Sequence, residues 1–115
     1  MKYKSKLRAL SARQLRTRRA RLARGLPDIE ATLRGALQRQ MRRCGKTGCR
    51  CVDGELHGPY LYLAVRTGAR SRLVYVPAEV VDDVARRVEA TGRLEAALAE
   101  ISAINLELFG RGELD

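Results

Sequence analysis

Pro59-Tyr60-Leu61-Tyr62-Leu63-Ala64-Val65-Arg66, then Thr67-Gly68-Ala69-Arg70, then Arg72-Leu73-Val74-Tyr75-Val76 is the stretch whose reading decides the fold. The two outer runs are rich in β-branched and aromatic residues, as strands are, and the linker between them is short and contains glycine. They read as a β-hairpin. With Gly68-Ala69 as the loop, Leu63 faces Val74 and Leu61 faces Val76, on the same side as Val65. Tyr60, Tyr62, Arg66, Leu73 and Tyr75 take the other side, with Tyr62 opposite Tyr75. A loop one residue longer would shift this pairing. The first side predicts a core. The second is aromatic and cationic, which suits either base stacking or a tyrosine cluster half-covered by a helix.

Just upstream lies Cys44-Gly45-Lys46-Thr47-Gly48-Cys49-Arg50-Cys51, and then His57. All three cysteines and the only histidine fall within these fourteen positions. Thiolate and imidazole are the ligands Zn²⁺ prefers, four of them in a tetrahedron, so Cys44, Cys49, Cys51 and His57 make one Cys₃His set. The spacing, C-x4-C-x-C-x5-H, is not a standard finger pattern. An inert cysteine cluster, a redox pair or a lone surface histidine are the plainer readings.

Further upstream, residues 35–43 admit two readings. Ile29, Leu33, Leu37 and Met41 recur at helical spacing, while Leu37, Arg39, Met41 and Arg43 alternate with Gln38, Gln40 and Arg42 as a strand would. Periodicity leaves both open. Residues 1–26 hold ten Lys or Arg and no acid, with leucines at 7, 10, 15, 22 and 26. Ser11 is a plausible N-cap for a basic helix that Gly25-Leu26-Pro27 ends, the alternative being a solvated basic tail.

Downstream of the hairpin, Pro77 suits a helix start, and Glu79, Asp82 and Asp83 complement its dipole. Val81, Val84, Val88, Thr91, Leu94, Leu98, Ile101 and Leu108 continue an amphipathic stripe to Phe109, with Gly110 at its end. Thr91-Gly92 is a possible break. The fold class expected is therefore α+β in one domain. A basic helical arm covers 1–33, a zinc knuckle with a small antiparallel sheet of two to three strands covers 34–77, and a long C-terminal helix covers 78–109.

At 115 residues such a domain has a modest core, which a metal would help to staple. Three cysteines do not make a disulfide framework, no signal-peptide pattern stands out, and no window nears the length of a membrane span. A cytoplasmic protein is expected. Residues 1–51 hold 16 basic residues and two acids, net +14, whereas residues 52–115 hold seven and eleven, net −4. Such a lopsided charge points to a polyanion partner. A membrane surface fits less well, since the basic run holds a single aromatic residue, Tyr3, to serve as an interfacial anchor.

Arg34-Gly35-Ala36-Leu37, the cysteine run and His57-Gly58-Pro59-Tyr60 with Tyr62 resemble a family of small prokaryotic proteins of unknown function. Its members share a CGKxxCxC…HGPYY core between a charged N-terminal helix and a long C-terminal one, and are often encoded near transposases and mobile elements. The resemblance covers nearly the whole chain. It implies that Cys44, Cys49, Cys51 and His57 are the fixed polar set, and that residues 35–43 form a third strand. It implies DNA-related work by association alone. Leu61 stands where the family has a second tyrosine, and Ala36 where Ser or Thr is common.

Together these features lead to the expectation of a non-enzymatic, zinc-stabilised nucleic-acid-binding module, its partner DNA rather than RNA. Arg16, Arg18, Arg19, Arg21, Arg39, Arg42, Arg43, Lys46 and Arg50 are the candidate phosphate contacts, arginine being suited to them by its bidentate fork. Tyr60, Tyr62 and Tyr75 are candidate stacking residues. One alternative is a protein-interaction or homodimerisation module that pairs its helices. Another is a ribbon-helix-helix built from Arg72–Pro77 and a helix broken at Thr91-Gly92. Catalysis finds little support: four ligands leave zinc no open position, and no Ser/His/Asp or paired-carboxylate set is visible.

Overall fold

The computed structural model of the chain describes residues 6–43, 48, 54 and 56–115. Ser11 caps the helix α1 (Ala12–Arg24). The Ser11 hydroxyl accepts from the Gln14 N–H at 3.1 Å, and Gln14 Oε1 accepts from the Ser11 N–H at 2.8 Å. This reciprocal box satisfies two donors that a helix start leaves orphaned. The helix stops where Gly25 donates back to the carbonyls of Arg21 and Leu22.

Residues 36–42 are a strand, β1 (Ala36–Arg42), which settles the ambiguity left by the periodicity. The hairpin strands are β2 (His57–Thr67) and β3 (Arg70–Val76). The sheet is antiparallel in the order β1-β2-β3. Thr67 pairs with Arg70, so the turn is the two-residue Gly68-Ala69, and Leu61↔Val76, Tyr62↔Tyr75 and Leu63↔Val74 follow as expected. Gly68 has φ +64 and Ala69 does not share the positive φ, the pattern of a type II′ turn whose twist suits a hairpin. On the other edge, β1 pairs Leu37 with Leu63, Gln38 with Tyr62 and Gln40 with Tyr60.

After Pro77 a short 3₁₀ turn, Ala78–Val80, leads into α2 (Val81–Gly110), a helix of 30 residues. It runs unbroken through Thr91 and Gly92, so the helix-turn-helix step of a ribbon-helix-helix is not formed there. Asp83, in its first turn, pairs with Arg86 and Arg87. The Arg87 hydrogen bond, helped by both guanidinium charges, holds the Asp83 carboxyl below its ordinary value. The chain is thus α+β, and no helix among the described residues is long and apolar enough to cross a membrane.

The chain divides into two compact units, Met1–Ala31 with Ala90–Asp115, and Thr32–Glu89. In the first, Leu7, Leu15, Ile104 and Leu108 form a buried cluster, with Leu10, Ala12, Leu22 and Ala103 packed against it. The basic helix therefore finds its partner helix within the chain. Arg111 closes this unit by donating to the carbonyls of Leu7 at 3.1 Å and Arg8 at 3.3 Å. In the second unit Leu63 and Val76 are buried, while Leu61, Val65, Val81, Val84 and Val88 are half-buried. The apolar side of the hairpin is the inner one.

Candidate nucleic-acid interface

Directly paired residues of an antiparallel sheet share a face, so the register sorts the side chains. Gln38, Gln40, Tyr60, Tyr62, Ala64, Leu73 and Tyr75 lie on one side, opposite Leu37, Arg39, Leu61, Leu63, Val74 and Val76. The sheet also slips. Gln40 pairs with Tyr60 but Arg42 with His57, so Met41 alone on β1 stands opposite both Gly58 and Pro59 on β2. This is a β-bulge in β2, where a proline lacking an N–H is tolerated. Arg42, two residues after Gln40 on β1, lies on the tyrosine side, and the bulge brings His57 opposite it.

There the Arg42 guanidinium lies over the Tyr62 ring, its carbon 4.9 Å from the centroid, within cation–π range. Gln40 Oε1 accepts from both Nη2, at 2.8 Å, and Nε, at 3.3 Å, fixing the guanidinium in that pose. Tyr75 meets Tyr62 edge to face, with centroids 5.8 Å apart and planes at 67°. Arg42, Arg43, His57, Tyr60, Tyr62 and Tyr75 line one open concavity of about 390 Å³. The three strands carry Arg39, Arg42, Arg66, Arg70 and Arg72 and not one carboxylate.

The other predicted contacts are placed differently. Arg39 pairs with Leu61 and so belongs to the opposite side of the sheet. On α1, Arg18 forms an ion pair with Glu100 at 2.8 Å, and Arg19 binds Asn105 Oδ1 at 2.7 Å and Asp115 at 3.0 Å. Arg16 donates to the Glu113 carbonyl at 2.7 Å. Three of the four α1 arginines predicted to bind phosphate are thus engaged with α2 and the C-terminal residues, and Arg21 is exposed. Cys44, Lys46, Cys49, Arg50 and Cys51 lie outside the described residues. His57, the fourth expected zinc ligand, is half-buried at the start of β2. No group of three metal-binding side chains occurs among the described residues.

Sequence reasoning does not single out Gln40. Its spacing of two from Arg42 is visible, but the two share a face only because residues 36–42 form a strand, which the periodicity left open.

Residues 12–86 match the family described as Domain of unknown function (DUF6788). The chain belongs to this family. The matched DUF6788 region includes α1, the whole sheet, the cysteine run and the first turns of α2. No curated protein and no solved structure gives a match.

Proposed function

We propose that this chain is a non-enzymatic nucleic-acid-binding module whose principal contact is the arginine–tyrosine side of the sheet. The observation that carries this reading is the concavity in which Arg42, Arg43, Tyr60, Tyr62 and Tyr75 converge, on strands bearing no acid. Guanidinium groups bind phosphate, and tyrosines accept bases or sugars. Arg16, Arg18 and Arg19 of α1, already engaged with α2 and the C-terminal residues, contribute less than the charge of the helix suggests. Lys46 and Arg50 add charge from the cysteine run. Cys44, Cys49, Cys51 and His57 would hold a structural zinc, a donor set that suits this metal and closes its coordination shell. DNA in a mobile-element setting is the partner we favour, and the cytoplasm the compartment.

The test is an electrophoretic shift with duplex and single-stranded DNA and RNA at two salt concentrations, with and without chelator. Retention that weakens as salt rises supports the reading, because phosphate contacts release counterions. Wild-type protein retained on no nucleic acid at about 50 mM salt, where such contacts are strong, would sink it.

A second reading, a protein-interaction module, draws on the exposed Leu98, Leu106 and Phe109 of α2. Sedimentation of the purified chain as a monomer, with no partner retained through these residues, removes it.

A further inference from the structure

The two rings at the centre of the sheet face are not equivalent. Tyr62 is half-buried, and one of its faces is covered by Arg42. Tyr75 is 54% exposed and touches Tyr62 edge to face rather than by stacking. The flat surfaces offered outward are therefore the Tyr75 ring and the guanidinium plane of Arg42.

We propose that this face selects single-stranded nucleic acid, stacking one unpaired base on Tyr75 and an adjacent one on the Arg42 guanidinium, with Gln40 and Tyr62 as positioning residues. The inference rests on the nucleic-acid reading above and narrows its substrate class. In a duplex each base is stacked on both sides and shows only its edges in the grooves. Only an unpaired strand can splay a base onto a ring lying in a concavity. The hollow, about 390 Å³, has the size of a small-molecule site, suited to a nucleotide or two rather than to a helix.

Arg42 is prepared for this work. Of its five N–H donors, Gln40 takes one from Nε and one from Nη2, which leaves three for phosphate or base oxygens. Being held in place, the side chain has less freedom to lose when a ligand arrives. Arg43, exposed at the rim, lies where the backbone of such a strand would pass.

Fluorescence anisotropy of the full chain, with zinc supplied, tests the proposal. The probes are a labelled oligothymidylate of about 12 nucleotides, a length in the range of single-strand modules, and a hairpin duplex of the same sequence paired with its complement. The strand is expected to bind more tightly than the duplex. Tyr75→Ala should weaken strand binding by about 5- to 150-fold, the span that one stacked base is worth, and leave the duplex within about twofold. Tyr75→Phe keeps the ring and should keep the affinity. Gln40→Ala should weaken strand binding in the wild type but add nothing in the Arg42→Ala background, as expected of a residue acting through Arg42. Thermal transitions of each variant show whether the fold is retained, and the Gln40/Arg42 cycle carries the test if Tyr75→Ala does not fold. Equal losses on strand and duplex, or none on either, would overturn the single-strand assignment and leave general nucleic-acid binding standing. Failure of the wild type to bind any nucleic acid would remove both.

Discussion

A single missing methyl group sets the geometry of the candidate interface. Gly58 has φ +130, and a Cβ there would come within 2.8 Å of the Gln40 carbonyl oxygen and 3.0 Å of Met41 Sδ. The backbone oxygen cannot swing aside as the end of a long side chain can. Gly58→Ala is therefore expected to cost about 2 kcal/mol or more, from strain at a positive φ and from pushing β1 away. A urea titration reads that loss, and an unchanged midpoint would mean that the bulge relaxes freely. The same variant should misplace Arg42, which pairs with His57 just beyond the bulge. The four residues proposed for zinc make a separate prediction. Purified protein should carry one equivalent under reducing conditions, and Cys49→Ser should lose both the metal and the cooperative thermal transition, since metal binding here adds to folding free energy. Metal analysis finding well under one equivalent would leave the cysteines to a redox or inert role.

At the scale of elements, the hairpin was legible because its two runs and its glycine turn all point to one register. Leu63, buried on the inner side at 6% exposure, should cost about 2–5 kcal/mol when cut to alanine. Its partner Val74 is 39% exposed, and the same change there should cost less than about 1 kcal/mol. Denaturation midpoints of the two variants read these losses, and a Leu63→Ala loss below about 1 kcal/mol would mean that the inner side had been wrongly assigned. The neighbouring strand was not legible. Leu37 and Met41 satisfy both a period of two and one near 3.6, and what decides between them is the edge that β2 offers, which no local pattern encodes. Ser11 and Gly25 announced the ends of α1, because caps are local chemistry. Thr91-Gly92 announced a break that does not occur, since a glycine penalty of about 1 kcal/mol is small beside the packing of a 30-residue helix. Nothing lies within 4 Å of where a Gly92 Cβ would be. Gly92→Ala should accordingly raise stability by about 0.5–1 kcal/mol, seen as a higher thermal midpoint, and a lower midpoint would refute the argument.

On the scale of the whole molecule, the charge asymmetry of the sequence is folded away. The chain runs from +14 in residues 1–51 to −4 in residues 52–115. Yet the unit of residues 1–31 and 90–115 holds 12 basic and seven acidic residues, and that of residues 32–89 holds 11 and six, a net +5 for each. The cause is that Arg18 and Arg19 meet Glu100 and Asp115, residues more than eighty positions away, a pairing that charge counting cannot foresee. Within residues 32–89 the positive charge is concentrated before the helix, with nine basic residues and two acids in residues 32–76. Arg18→Ala and Arg19→Ala should thus each lower stability by about 0.2–1 kcal/mol, as exposed pairs do, with little effect on nucleic-acid affinity. Arg42→Ala and Arg43→Ala should instead flatten the slope of log K against log salt, by about 1 for each phosphate no longer neutralised. The reverse pattern in a salt titration would return the binding site to α1. The chain has no tryptophan and four tyrosines, three of which, Tyr60, Tyr62 and Tyr75, line the same concavity. Its ultraviolet emission therefore arises mostly from the place where a ligand is expected to settle. A base laid on Tyr75 would quench that light, so the unlabelled protein carries its own optical sensor of occupancy.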